Sequence, residues 1–200
     1  GIPGWQNFVK DCGWENIYVA SVKTDKNKPL EGKNLAETTK VMGKKDAFTA
    51  LCDLLLEEEG AVSMVLFAMD KEDIKRIMKH PLQMVGTDGW AVAPYGVLSV
   101  GKPHPRLYGT YPRVLGKYVR EEETLSLEEA IRKMTSFPAQ RFGLSGRGLI
   151  KEGFYADIAI FDPKNVIDKA TYENPHQYPQ GIDYVIVNGE VVVEKRAHTG

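Results

Sequence analysis

A single carboxylate, Asp88, is the residue of this sequence best placed to do chemistry. It follows the short, mostly apolar run Leu82–Thr87, and glycines stand at positions 86 and 89. This pattern predicts a buried strand that carries the carboxylate to its C-terminal end, where α/β enzymes place their reactive groups. From the residues alone, Asp88 could be a general base, a metal ligand or a cap of the turn after the strand.

The loop after Asp88 supplies two more candidates, His104 and Arg106. Residues 89–112 are rich in Gly and Pro, and such long loops are uncommon unless they are functional or disordered. The aromatic residues within the loop argue against disorder. Arg106, between Pro105 and aromatic neighbours, could bind a substrate carboxylate through two hydrogen bonds, or equally form an ordinary surface ion pair. His104 is the one histidine that we take as a site candidate.

The sequence contains no recognisable metal-binding motif. Its histidines, at positions 80, 104, 176 and 198, form no HxH, HxxxH or Cys/His cluster, so the chain lacks the three or four ligands of a known zinc pattern. Cys12 and Cys52 form no CxxC pair and are predicted to be ordinary thiols. The GxSxG motif and the P-loop are also absent from the sequence.

The elements around Asp88 have the pattern of a βαβ unit. Ala61–Met69 is continuous and largely apolar, which predicts a strand buried on both faces. Lys71–His80 has helical spacing and is followed by Pro81, which predicts a helix that ends there. With Leu82–Thr87 as the second strand, the two strands are expected to lie parallel, with Asp88 on the functional face of the sheet.

Helices are predicted before this unit, and both helices and strands after it. The expected elements are a strand at Ile17–Val22, helices at 34–43 and 46–59, a helix at Pro112–Glu121, a helix opened by the capping box at Ser126 and running through Met134, a strand at Ala156–Asp162, and a hairpin at Tyr184–Val193 turned by Asn188-Gly189. On the second helix we expect Phe48, Leu51, Cys52, Leu55 and Leu56 to form the buried stripe.

The charge balance excludes several classes of partner. Lys and Arg number 26 against 27 Asp and Glu, so no strong field attracts nucleic acid or an anionic membrane. The longest apolar run is far too short to span a bilayer, and the N-terminus lacks the pattern of a signal peptide. We expect a cytoplasmic protein with a small-molecule partner. Because the chain opens with Gly1 rather than Met, we also expect a fragment of a longer protein.

Several stretches resemble the C-terminal half of the N-acyl-D-amino-acid deacylases, or D-aminoacylases, of the amidohydrolase superfamily. They are residues 13–17 (GWENI), 30–37 (LEGKNLAE), 53–58 (DLLLEE), 80–81 (HP), 85–89 (VGTDG), 104–116 (HPRLYGTYPRVLG), 132–135 (RKMT) and 153–158 (GFYADI). The resemblance runs in order through nearly the whole chain, and the long match over residues 104–116 is specific.

This resemblance implies an α/β fold. It would be the C-terminal part of a (β/α)8 metal-dependent hydrolase barrel, followed by part of a small all-β sandwich domain. Residues 1–142 would form the barrel segment, including an insertion before the last strand, and residues 143–200 would form the β-rich segment.

The resemblance also implies roles for the three candidates. Asp88 would close the last barrel strand, act as a metal ligand, take a proton from a zinc-activated water and pass it to the leaving amine. The zinc would polarise the scissile amide carbonyl of an N-acyl-D-amino acid. Arg106 would bind the α-carboxylate of that substrate, and His104 belongs to the same substrate-binding segment.

Most of the metal ligands and barrel strands expected from this resemblance are not in this chain. The HxH pair, the bridging ligand, two further histidines and most of the barrel strands should lie upstream of Gly1. We therefore expect the missing N-terminal part of the barrel to be a partner, and this chain alone neither to bind catalytic zinc nor to hydrolyse amides. Two alternatives stay open. One is a fragment of a cyclic amidohydrolase such as a dihydroorotase or hydantoinase, which would not need an arginine clamp; the other is a non-catalytic binding or structural module.

Overall fold

The computed structural model describes residues 3–199 of the chain, which divide into two compact units. The first unit contains the residues up to 70, together with 92–104 and 171–176. The second contains 71–91, 105–170 and the residues from 177 onward. None of the helices in this range is long and apolar enough to span a bilayer.

The first unit combines three helices with a two-stranded sheet. Its elements are α1 (Phe8–Cys12), β1 (Ile17–Ser21), α2 (Leu35–Val41), α3 (Ala47–Glu57) and β2 (Ser63–Leu66), with short 3₁₀ helices at Trp14–Asn16, Asp25–Leu30 and Gly96–Leu98. Strands β1 and β2 pair antiparallel, with Ile17 opposite Leu66. The predicted strand at Ile17–Val22 is confirmed to within one residue.

The starts of α2 and α3 are set by side chains that cap them. The Asn34 side chain accepts a hydrogen bond from the Glu37 amide at 2.8 Å, and the Glu37 carboxylate accepts one from the Asn34 amide at 3.0 Å. This reciprocal pair satisfies two amides that have no partner inside the helix. Asp46 caps α3 by accepting from the Thr49 amide at 2.7 Å. Both predicted helices are confirmed.

The core of the first unit lies between β1 and the helices. Its buried residues are Ile17, Val19, Val22, Leu30, Leu35 and Leu54. On α3 the buried positions are Ala50 and Leu54, whereas Phe48 is 66% exposed and Leu56 is 77% exposed. The predicted stripe is therefore wrong for Phe48 and Leu56, and also for Leu55, which is exposed as well. Because α3 is apolar on several faces, its sequence does not single out one stripe, and packing against the core selects the face of Leu54.

The first unit also buries a carboxylate, Glu58, just after α3. The side chain is fully buried and accepts hydrogen bonds from the amides of Lys23 and Thr24, the Thr24 hydroxyl and the Asn27 side chain. Burial alone would raise the pKa of Glu58, but these donors stabilise the ionised form more and lower the pKa to about 2. Glu58 thereby fixes the segment 23–27 to the end of α3.

The second unit contains helices and a four-stranded antiparallel sheet. Its elements are α4 (Lys71–Lys79), α5 (Arg106–Arg113), which continues as a π-helix over Val114–Glu121, α6 (Leu127–Met134), α7 (Ser136–Arg141), β3 (Ile158–Phe161), β4 (Ile182–Val187), β5 (Glu190–Glu194) and β6 (Ala197–His198). The strands are ordered β3-β4-β5-β6. The hairpin turn between β4 and β5 is confirmed, with positive φ at both Asn188 (51°) and Gly189 (86°), as a type I′ turn requires.

The predicted βαβ unit is wrong in its strand pairing. β2 pairs antiparallel with β1, and within residues 3–199 the run Leu82–Thr87 forms no strand ladder. The helix of the unit, α4, is confirmed, and β2 lies within the strand predicted at Ala61–Met69. The prediction that this strand is buried on both faces is wrong, because only Val65 of β2 is buried. An apolar run becomes a strand only where a neighbouring backbone offers hydrogen bonds, and no ladder partner for Leu82–Thr87 lies in the described part of the chain. The run has no regular secondary structure, and its Val85 amide donates to the carbonyl of Lys133 at 3.1 Å.

The predicted loop 89–112 is also wrong over its last residues. Helix α5 begins at Arg106, six residues before the predicted start at Pro112, and Pro112 lies inside it. The Gly and Pro content of this stretch favoured a loop because both residues weaken helices. Gly109 and Pro112 are instead buried positions of the helix.

The mixture of helices and sheets agrees with the predicted α/β class. A four-stranded sheet also lies after residue 143, where the β-rich segment is expected. Sheets of two and four strands do not by themselves close a barrel. The barrel segment at 1–142, the sandwich and the boundary between them therefore stay predictions.

We predict that Leu54→Ala lowers the free energy of unfolding by about 2–5 kcal/mol, because it leaves a cavity at a fully buried position. Leu56→Ala is the matched control on the same helix and should cost less than about 0.5 kcal/mol, since that side chain is exposed. Urea titration of both variants measures the difference. Equal losses would contradict the assignment of the buried face of α3.

We predict that Glu58 makes the first unit sensitive to acid. Its pKa is lowered from the usual 4.5 to about 2 in the folded chain, so its stabilising effect is complete above pH 4.5 and is lost as the pH falls from 4.5 towards 2. Glu58→Gln should be less stable at neutral pH and should lose this part of the acid dependence. Urea denaturation midpoints of both proteins, measured between pH 2 and pH 4.5, test this. If the two midpoints fall equally as the pH is lowered, the prediction is wrong.

Candidate functional site

Asp88 and Arg106 lie in contact in the second unit. Arg106 Nη2 is 2.7 Å from Asp88 Oδ2, and Arg106 Nε donates a hydrogen bond to the main-chain carbonyl of Asp88 at 3.1 Å. One guanidinium group thus bonds both the side chain and the backbone of Asp88. This double contact fixes the orientation of the carboxylate relative to the first turn of α5.

The backbone at Asp88 is in the left-handed region, with φ of +47°. Aspartate tolerates this conformation better than most residues because its short side chain can bond nearby backbone groups. Preceding Asp88, Val85 packs against a buried cluster of Met78, Val114, Leu125 and Ala130. The apolar part of the segment is therefore anchored in the core, and the sharp turn brings the carboxylate out of it.

The ion pair is open to solvent. The Asp88 side chain is 85% exposed and that of Arg106 is 38% exposed. Exposed pairs of this kind contribute about 0–1 kcal/mol, because water screens the charges and two flexible side chains must be ordered. A ligand carboxylate that brings further contacts with it can therefore replace the Asp88 carboxylate on Arg106.

His104 lies in the first unit, where it contacts Tyr172. The His104 Nε2 atom is 3.1 Å from the Tyr172 hydroxyl, and the two rings meet edge to face with centroids 5.1 Å apart. Tyr172 also packs edge to face on Phe67, and Phe67 packs on Tyr18 in the same way. A row of aromatic rings thus supports the imidazole.

The candidate residues do not form a complete metal site, because Asp88 is the only carboxylate among them. Among residues 3–199 there is no group of three or more His, Cys, Asp and Glu side chains that could hold a metal ion. A catalytic zinc site uses three protein ligands and a water. Asp88 is an accessible carboxylate and suits a single ligand position, so the chemistry available here is proton transfer by Asp88 and anion binding by Arg106.

An apolar cavity of about 630 Å³ lies elsewhere, in the first unit. Its walls include Phe8, Tyr18, Leu51 and Met64, and no carboxylate, histidine or cysteine is among its lining residues. Such a cavity can hold an apolar group, and it has no charged side chain or imidazole that would bind an anion or transfer a proton.

The contacts of two residues were not foreseen from the sequence. The contact between Tyr172 and His104 joins residues 68 positions apart, so no local signal in the sequence indicates it. Lys133 lies three positions after Ala130, on the buried side of α6. A lysine at such a position is a signal that sequence reasoning could have used.

A family model described as "Amidohydrolase family" matches residues 34–193. The chain belongs to the amidohydrolase family. The match covers most of the sequence and includes all three candidate residues, Asp88, His104 and Arg106. The resemblance identified from the sequence is confirmed at this level.

Three curated relatives, each more than 40% identical to this chain, are named as D-amino-acid deacylases or aminoacylases, and others with shorter matches are named as dihydroorotases. The chain is 41% identical over 171 residues to a D-aminoacylase of Alcaligenes xylosoxydans xylosoxydans, covering 86% of this chain and 33% of that protein. It is 43% identical over 154 residues to the N-acyl-D-aspartate deacylase of the same organism, covering 74% of this chain and 30% of that protein. This amidohydrolase chain therefore spans about a third of the length of these relatives.

A solved structure has a similar fold. It is an N-acyl-D-glutamate deacylase from Bordetella bronchiseptica in complex with zinc and a phosphonate inhibitor that mimics the tetrahedral intermediate. The TM-score is 0.77 and the identity 35%, over 92% of this chain and 38% of that one.

Proposed function

We propose that this chain forms the C-terminal part of a zinc-dependent deacylase that hydrolyses N-acyl-D-amino acids. The observation that supports the proposal is the contact between Asp88 and Arg106, in which an exposed carboxylate lies beside a guanidinium group. The names of the relatives support the substrate class. In this proposal residues 1–142 complete a barrel and residues 143–200 belong to a β-rich domain.

Asp88 is the proposed catalytic residue. Its carboxylate takes a proton from the attacking water and delivers it to the leaving amine, so that the amine departs as a neutral group. The turn at Asp88 exposes the carboxylate to solvent, where a water and a substrate can reach it. The anchored residues before it limit how far the carboxylate can move.

Arg106 is the proposed binding residue for the α-carboxylate of the substrate. A guanidinium group bonds a carboxylate through two parallel hydrogen bonds, which fixes direction as well as distance. In this structure the Asp88 carboxylate occupies part of that binding edge. When a substrate carboxylate takes its place, Asp88 is released towards the reacting atoms. His104, held by Tyr172, is proposed as a further part of the substrate-binding wall.

Zinc, when bound, would activate the attacking water and polarise the amide carbonyl. Asp88 can supply one ligand, and we propose that the other ligands come from a preceding part of the barrel that this chain does not contain. Purified alone, the chain is then expected to lack zinc-dependent amidase activity.

We predict that Asp88→Ala in the complete enzyme lowers kcat by about 10²–10⁴-fold, because the proton transfer loses its base and acid. The far-ultraviolet circular dichroism spectrum should be unchanged. Asp73→Ala, which removes an exposed carboxylate from α4, is the matched control and should retain wild-type activity. Normal turnover by Asp88→Ala would disprove the catalytic assignment.

We predict that Arg106→Met removes the preference for substrates with a free carboxylate. The variant should lower kcat/KM for an N-acyl-D-amino acid about 10–100-fold more than kcat/KM for the corresponding amino acid amide. Both substrates lose the support that Arg106 gives to Asp88, but only the acid also loses the partner of its carboxylate. Arg76→Met, at an exposed position of α4, is the control. Preferential turnover of a cyclic amide by the wild type would instead support a dihydroorotase-like or hydantoinase-like enzyme.

A further inference from the structure

Lys133 on α6 is a fully buried lysine. Its side chain is 0% exposed, although lysine is among the residues least often buried completely. Burial lowers the pKa of Lys133, and the neighbouring Glu129 carboxylate partly opposes this. A charge that is costly to bury needs good partners, so the contacts of the ammonium group indicate what it holds in place.

The ammonium group contacts the segment that leads to Asp88. Lys133 Nζ donates to the carbonyl of His80 at 2.6 Å and to the carbonyl of Gln83 at 3.1 Å, and lies 3.7 Å from Glu129 Oε1. The two carbonyls accept two of the three hydrogen bonds that an ammonium group can donate, and Glu129 supplies a nearby opposite charge. Both carbonyls belong to the residues between the end of α4 and Asp88.

The backbone around Lys133 binds the same segment. The Lys133 carbonyl accepts a hydrogen bond from the Val85 amide at 3.1 Å. Arg132 Nη2 donates to the carbonyl of Pro81 at 3.2 Å. Arg132 and Lys133, two consecutive residues of α6, therefore contact four positions of the segment 80–85. The last of these positions, Val85, is three residues before Asp88.

These contacts replace the sheet that the segment lacks. Within residues 3–199, no strand pairs with Leu82–Thr87 that would fix the position and direction of its backbone. The segment is fixed at one end by α6 and at the other by the contact of Arg106 with Asp88. The α6 contacts set where the chain enters the turn, and Arg106 sets where the carboxylate points.

The geometry points to Lys133 as a positioning residue for Asp88: its buried ammonium group holds the carbonyls of His80 and Gln83 and so fixes the start of the turn that presents the carboxylate. The catalytic consequence of this role rests on the proposed deacylase function; the structural consequence does not. A displacement of about 1 Å at a catalytic group can lower a rate about 10²-fold, so Lys133 affects turnover without touching substrate.

The structural role is tested in the 200-residue chain by amide hydrogen exchange. Lys133→Met keeps most of the length of the side chain but removes its donors. It should speed exchange at Val85 about tenfold or more while amides of β4 keep their protection. Lys79→Met, which removes an exposed lysine from α4, should change neither. Unchanged exchange at Val85 in Lys133→Met would overturn the proposal. If Lys133→Met does not fold, Lys133→Gln, which keeps an amide donor, is measured in its place.

The catalytic role is tested in the complete enzyme. Lys133→Met should lower kcat about 10²-fold with KM nearly unchanged, and Lys133→Arg, which keeps the donors, should recover part of the loss. A purely structural role predicts instead that the specific activity of the folded fraction is unchanged, which would overturn the inference. If exchange changes as expected but Asp88→Ala stays fully active, the deacylase proposal fails while the structural role of Lys133 stands.

Discussion

The placement of Asp88 depends on hydrogen bonds from side chains to a backbone that has no sheet partner in the described part of the chain. In an ordinary parallel sheet, two neighbouring strands would fix such a segment through regularly spaced amide bonds. Here Lys133 and Arg132 bind the carbonyls before the turn, and Arg106 binds the carbonyl after it. Each of these side chains can reach its carbonyl because a helix holds its backbone in place: α6 for Arg132 and Lys133, and α5 for Arg106.

The two units bury charge according to the same rule. Glu58 in the first unit and Lys133 in the second are both fully buried. Backbone amides supply two of the four hydrogen bonds to Glu58, and backbone carbonyls accept both hydrogen bonds from Lys133. A buried charge whose bonds are all satisfied costs much less than an unpaired one, and it also specifies one arrangement of the groups it binds. In each case an irregular segment of chain gains a fixed position without joining a sheet.

Local signals in the sequence predicted the elements well, and long-range pairing was where prediction failed. The caps at Asn34 and Asp46 and the Asn188-Gly189 turn depend on residues only a few positions apart, so the sequence contains all that decides them. The partner of β2 depends on which backbone is near, and an apolar run does not encode this. Asp88 and Arg106 could be selected as candidates by residue type, but their mutual geometry needed the fold of α5.

The pairing of Asp88 with Arg106 also affects which anions the site can hold. Because each charge already faces an opposite one, the unliganded pair attracts a simple anion such as acetate only weakly. Such an ion would have to break the pair and would bring nothing beyond one carboxylate in return. A larger acid that makes further contacts along its chain can offset that loss. Because Asp88 and Arg106 neutralise each other when no ligand is bound, the site favours elongated acids over the small anions abundant in solution.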